Sequence, residues 1–132
     1  MSRRIAVVTG SRADFGLLRS TMEAISSTPG LKLQVVVAGA HLLPPHETIE
    51  EVRADFHVDA VVEMQHAGQI GRTADATATG RGMVGFTATF DRLESDVVLV
   101  LGDRIEAFAA AASAGIGGRL VAHVHGGDRA EG

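Results

Sequence analysis

The chain has 132 residues, a formal net charge of −4 and no cysteine. That is one domain, long enough to bury a real core. Mild acidity without a long basic run argues against nucleic acid as a partner, and the missing cysteines exclude disulfides and thiolate metal sites. No apolar run approaches a membrane span. Ser2-Arg3-Arg4 followed by Ile5-Ala6-Val7-Val8 starts like a signal peptide, but the apolar part stops at Thr9-Gly10. A soluble, cytoplasmic chain with no membrane partner is expected.

Ile5 to Thr9 is a short apolar run and reads as a first buried strand. Gly10 to Asp14 is the turn after it. Phe15 to Ser26 then places Phe15, Leu18, Met22 and Ile25 at helical spacing, and Pro29-Gly30 ends that helix. The turn has the make-up of a phosphate site. Gly10 and Ser11 are small enough to let backbone N–H groups approach an anion at a helix N-terminus, and Arg12 adds a bidentate donor. It is neither a P-loop nor the dinucleotide fingerprint. Taken alone, Arg12 reads as an ordinary surface arginine.

Leu31 to Ala38 is a second strand, with Val35, Val36 and Val37 in succession. Gly39 to Pro45 is a loop stiffened by Pro44-Pro45. His41 is placed to reach a site at this strand's end, although a lone loop histidine is ordinarily solvated. Thr48 to Ala54 reads as a short helix, Val58 to Val62 as a third strand and Gln65 to Gly71 as a loop. Thr73 to Leu93 is a long helix interrupted by Gly80, Gly82 and Gly85. Each glycine costs about 0.5–1 kcal/mol relative to alanine. Close backbone packing against the sheet or a neighbouring helix is the expected return; a kink is the alternative.

Val97 to Leu101 is an unbroken β-branched and leucine run, a fourth strand buried on both faces. Gly102-Asp103-Arg104 is a sharp charged turn, and an alanine-rich helix follows, ended by Gly115-Ile116-Gly117-Gly118. Arg119 to Val124 is a fifth strand. His123 and His125 flank Val124 and share a face if the strand still holds there. A glycine-rich charged stretch, Gly126 to Gly132, closes the sequence.

Alternating strands and helices imply a doubly wound α/β parallel sheet, Rossmann-like, in the order 3-2-1-4-5. The order reverses between strands one and four. Gly10 to Asp14 and Gly102 to Arg104 therefore face one crevice at the switch point, with His123 to Asp128 beside them. An Asp after a strand is often only a helix N-cap. Three turns converging on one place favour a functional Asp103 over a cap. His123, His125 and Asp128 form a conceivable metal set, but no third histidine sits at a zincin-like spacing, and no metal is assigned. A serine-hydrolase elbow is absent.

Val8-Thr9-Gly10-Ser11-Arg12-Ala13-Asp14, Ala38-Gly39-Ala40-His41-Leu42, Leu101-Gly102-Asp103-Arg104-Ile105-Glu106 and His123-Val124-His125-Gly126-Gly127-Asp128 together resemble the hydrolysing UDP-N-acetylglucosamine 2-epimerases. The nearer branch is the one that opens sialic- or legionaminic-acid synthesis. The resemblance implies residues 1–132 as a single Rossmann-like N-terminal domain. This is the first half of a glycosyltransferase-B-type fold, whose nucleotide-gripping second half lies outside this sequence. It implies elimination of UDP from UDP-N-acetylglucosamine or a related UDP-sugar, then hydration to N-acetylmannosamine, without a cofactor. Asp103, His125 and Asp128 are the catalytic residues it implies, with Asp103 the acid/base. His125 stands where several relatives have a catalytic glutamate, and Asp128 where the nearer branch has a glutamate. Gly10, Ser11, Arg12, Asp14, His41, Arg104 and His123 are the substrate-binding residues, the arginines facing the diphosphate. A second-half chain and a homo-oligomer are the protein partners expected. From a different class, the alternative is a non-catalytic nucleotide-sugar-binding half, or a remnant, that needs a partner chain.

Overall fold

The computed structural model describes residues 2–44 and 47–125. Strands β1 (Arg3–Thr9), β2 (Leu31–Ala38), β3 (Ala60–Val62), β4 (Val97–Leu101) and β5 (Leu120–Val124) alternate with helices α1 (Arg12–Ser27), α2 (Ile49–Asp55), α3 (Arg72–Leu93) and α4 (Ile105–Ile116). All strand pairs are parallel and the order is β3-β2-β1-β4-β5, as the alternation predicts. The consecutive valines of β2 are buried because both faces of the sheet are covered. Val7, Val35 and Val37 face α1 and α2, packing with Phe15, Leu18, Met22 and Val52. Ala6, Val8, Val36, Val98 and Val100 face α3 and α4, packing with Phe86, Phe90, Ala109 and Ala110.

Helix α3 runs unbroken for 22 residues through its glycines. A Cβ on Gly82 would meet the Met64 side chain at 2.6 Å, and one on Gly85 would meet Val62 Cγ1 at 2.7 Å. Close packing, of Gly85 on β3 and of Gly82 on Met64 just after it, is therefore the return for two of the three glycines. Gly80 has open space around it. Several boundaries differ from the sequence reading. β3 is shorter than Val58–Val62, and Gly39–Leu42 forms a turn of 3₁₀ helix inside the expected loop. No helix of the described residues is long and apolar enough to cross a membrane.

Candidate active-site crevice

β1 and β4 lie side by side and parallel, so Thr9-Gly10 and Leu101-Gly102 emerge at the same edge. Ligands of doubly wound sheets bind at such a reversal of strand order. On the β1 side the turn is shorter than Gly10 to Asp14. Ser11 is extended, and its side chain accepts from the Asp14 N–H at 3.2 Å. That cap lets α1 begin at Arg12, so Arg12 and Asp14 belong to the first helical turn. Arg12 is 75% exposed and pairs with Glu51 on α2, Nε to Oε2 3.2 Å. With Arg19 and Asp55 these residues line a cavity between α1 and α2, apart from the one beside Asp103.

On the β4 side Gly102 takes φ +72, which favours glycine. Asp103 is exposed, and it does not cap α4. Arg104 occupies the N-cap position in an extended conformation, and no side chain accepts there. Among the described residues Asp103 has no hydrogen bond or ion pair. A carboxylate at a switch point with no structural duty is available for ligand chemistry.

Arg104 reaches across the turn to Glu106, with Nε at 3.3 Å and a terminal nitrogen at 3.1 Å, both on Oε2. The Glu106 side chain is 1% exposed. It lies between the ends of β1 and β2, where side chains would exclude it. A Cβ on Gly10 would meet its Cβ at 2.6 Å, and one on Gly39 would meet its Oε2 at 2.7 Å. Gly10 is therefore small because a carboxylate of the chain itself packs on it. Sequence reading left Glu106 out of the site. Its signals were its place at the end of the Leu101-to-Glu106 motif and its standing as a lone acid at the start of an alanine-rich run, which the topology brings onto two strand-end glycines.

His41 is fully buried rather than solvated. Its Nε2 is 2.8 Å from Thr9 Oγ1 and its Nδ1 2.7 Å from Thr48 Oγ1. A neutral imidazole donates through one nitrogen and accepts through the other, so the two hydroxyls satisfy it. Burial lowers its pKa from 6.5 to about 4, against a smaller opposing effect of the Glu51 carboxylate. His41 thus locks the end of β2 to the end of β1.

His123 Nε2 is held at 2.5 Å from the Gly102 carbonyl, which ties β5 to the Asp103 turn. β5 ends at Val124, and His125 takes φ +57, so strand alternation does not carry His125 onto the face of His123. Asp128 lies outside the described residues. The structure thus brings Gly10, Asp103, Arg104 and His123 to one crevice, turns Arg12 toward α2, and buries His41 beneath the rim.

The family profile described as UDP-N-acetylglucosamine 2-epimerase matches residues 23–132. This chain belongs to that family. It is 37% identical over 131 residues to the UDP-N,N'-diacetylbacillosamine 2-epimerase (hydrolyzing) of Legionella pneumophila, covering 98% of this chain and 34% of the relative. It is 34% identical over 132 residues to the UDP-N-acetylglucosamine 2-epimerase of Neisseria meningitidis serogroup B, covering 96% and 33%. The chain therefore spans about a third of the length of these relatives. Two solved 2-epimerases share the fold. The Neisseria meningitidis enzyme bound to UDP-GlcNAc superposes with a TM-score of 0.81 at 19% identity, over 97% of this chain and 33% of that one. The Methanocaldococcus jannaschii enzyme in complex with UDP-GlcNAc and UDP gives 0.75 at 19%, over 96% and 33%.

Proposed function

We propose that this chain is the N-terminal domain of a hydrolysing UDP-N-acetylglucosamine 2-epimerase, acting on UDP-N-acetylglucosamine or a 2,4-diacetamido relative. The observation that carries the reading is the Asp103 carboxylate, without a partner among the described residues and set beside Arg104 at the reversal of strand order in a member of this family. In the proposed reaction a base removes the C2 proton while the C1–O bond breaks and UDP leaves, giving a 2-acetamidoglucal. Water then adds across the double bond, hydroxyl to C1 and proton to the opposite face of C2, giving N-acetylmannosamine. No net oxidation occurs, so the chemistry requires no redox cofactor. Asp103 acts as the acid/base, a task that needs a positioned group free to exchange a proton. Arg104 offsets charge on the departing diphosphate. Arg12 joins it by exchanging Glu51 for phosphate. An exposed ion pair contributes only about 0–1 kcal/mol, so that exchange costs little. His125 and Asp128 serve as further proton-transfer groups.

Because the chain spans a third of its relatives, the assay compares it with and without a polypeptide supplying the other two thirds. The chain alone is expected to release no UDP above a no-enzyme control. The combination is expected to release UDP and N-acetylmannosamine, and Asp103→Asn to lower that rate by about 10²–10⁴-fold, the usual worth of one acid/base group. Activity indifferent to Asp103→Asn overturns the reading. We also propose a homo-oligomer, supported by exposed Val84 on α3, Phe108 and Ile116 on α4 and Leu120 on β5. A clean monomer by light scattering at high concentration contradicts it.

A further inference from the structure

Arg12 and Arg19 both lie on α1, and each pairs with an acid of α2. The two pairs are built differently. Arg19 holds Asp55 at 2.7 Å, and its guanidinium lies 4.9 Å from the centre of the Phe15 ring. Arg12 is held, among the described residues, by one contact alone, Nε to Glu51 Oε2 at 3.2 Å, and its side chain is the more exposed of the two. A step of seven residues separates the arginines, about 10 Å of helix. The loose pair stands at the end of α1 that follows β1 into the crevice, and the tight pair stands away from it.

Glu51 is carried by a helix that is fixed on other grounds. Ile49 and Val52 of α2 are buried against the α1 side of the sheet. Thr48, just before α2, donates its N–H to the His41 carbonyl at 3.0 Å, and its hydroxyl is 2.7 Å from His41 Nδ1. His41 in turn is tied to Thr9 at the end of β1. The neighbouring acid, Glu50, is already answered within α2 by Arg53 at 2.6 Å. Glu51 is therefore a carboxylate held in place beside a guanidinium that is free to move. Any anion that recruits Arg12 into the crevice has to displace it.

We propose that Glu51 is an internal competitor of the ligand. It parks Arg12 in the seam between α1 and α2 and so lowers the affinity for an anion at the end of β1, while the Arg19–Asp55 pair keeps α2 docked when Arg12 leaves. The proposal rests on the nucleotide-sugar reading above, in which Arg12 turns to the diphosphate. Glu51 touches no ligand; it is a positioning residue that acts through Arg12.

The test titrates this chain with UDP at about 0.15 M salt, following amide shifts in wild type, Glu51→Gln, Asp55→Asn, Arg12→Ala and the double variant Arg12→Ala/Glu51→Gln. Glu51→Gln is expected to tighten UDP about threefold, within the range an exposed ion pair allows. Asp55→Asn removes the same charge from the same helix. It should leave the affinity unchanged, because the Debye length of about 8 Å screens a charge at the remote pair. In the Arg12→Ala background Glu51→Gln should change nothing. That coupling separates competition for Arg12 from the general effect of removing an acid. Glu51→Gln with wild-type affinity overturns the proposal. So does a gain that persists without Arg12, or an equal gain in Asp55→Asn, since either assigns the effect to net charge. Wild type that binds no UDP, or an Arg12→Ala variant that binds it as well as wild type, refutes instead the nucleotide-sugar reading or the place of Arg12 in it, and the proposal falls with that.

Discussion

At the end of β1 most polar side chains are answered within the chain, by backbone or side chain. Ser11 caps α1, Arg12 pairs with Glu51, and Thr9 holds His41. At the end of β4 they are not. Asp103 has no partner among the described residues, Glu106 leaves one buried oxygen unpaired, and Arg104 reaches only part of Glu106. Both turns follow a central strand, and both carry glycine, an acid and an arginine. The difference teaches that composition marks where a site is, whereas unmet hydrogen-bonding capacity marks which side of it awaits a ligand. The β1 turn supports the crevice, and the β4 turn is the one to which the proposed function assigns its chemistry.

The largest effect should come from filling the seam between the two sides. Gly39→Ala sets a Cβ against Glu106 at a residue with φ +59. Overpacking costs about 1–3 kcal/mol and the left-handed backbone about 1–2 kcal/mol more. A loss near 4 kcal/mol is expected by chemical denaturation. In a Glu106→Ala background the steric part should vanish, leaving only the backbone cost. Equal losses in both backgrounds would break the claim that Glu106 joins the two strand ends.

Next is the pH response of the supporting side. His41 has its folded pKa lowered from 6.5 to about 4. Its neutral form therefore favours folding fully above pH 6.5, and this contribution is lost as pH falls toward 4. Between those values the unfolded chain binds the extra proton, so stability rises with pH, by about 3 kcal/mol for a shift of this size. His41→Gln should flatten that part of the stability profile. A variant that follows the wild-type slope would remove His41 from the lock.

The smallest effect on stability belongs to Arg12. Its exposed pair with Glu51 predicts that Arg12→Ala changes folding free energy by less than about 1 kcal/mol.

The strand order was legible because each buried strand is a continuous apolar run and each joining segment has helical spacing. Gly82 and Gly85 were legible as close-packing positions, although their partners Val62 and Met64 were not. The start of α1 was misread because Ser11 looked like one more small turn residue; its capping bond to Asp14 decides the boundary. The burial of His41 was not legible because its partners, Thr9 and Thr48, come from separate elements and share no pattern with it. Glu106 was passed over for the same reason. Its burial is produced by Gly10 and Gly39, far upstream in the chain. Local periodicity reveals which residues enter the core, and it carries no information about which polar groups meet there.

The most direct test of the crevice is a titration of this chain with UDP, followed by amide shifts. Two partly solvated arginine contacts correspond to a few kcal/mol and thus to a dissociation constant of about 1 mM, weakened by salt. Shifts are expected at residues 10–12 and 102–104. Arg12→Ala should lower the affinity, and Asp103→Asn should leave it unchanged or slightly raise it by removing a nearby negative charge. If those amides stay silent while the cavity around Lys32, His57 and Asp59 at the opposite end of β2 responds, the crevice is not the nucleotide site.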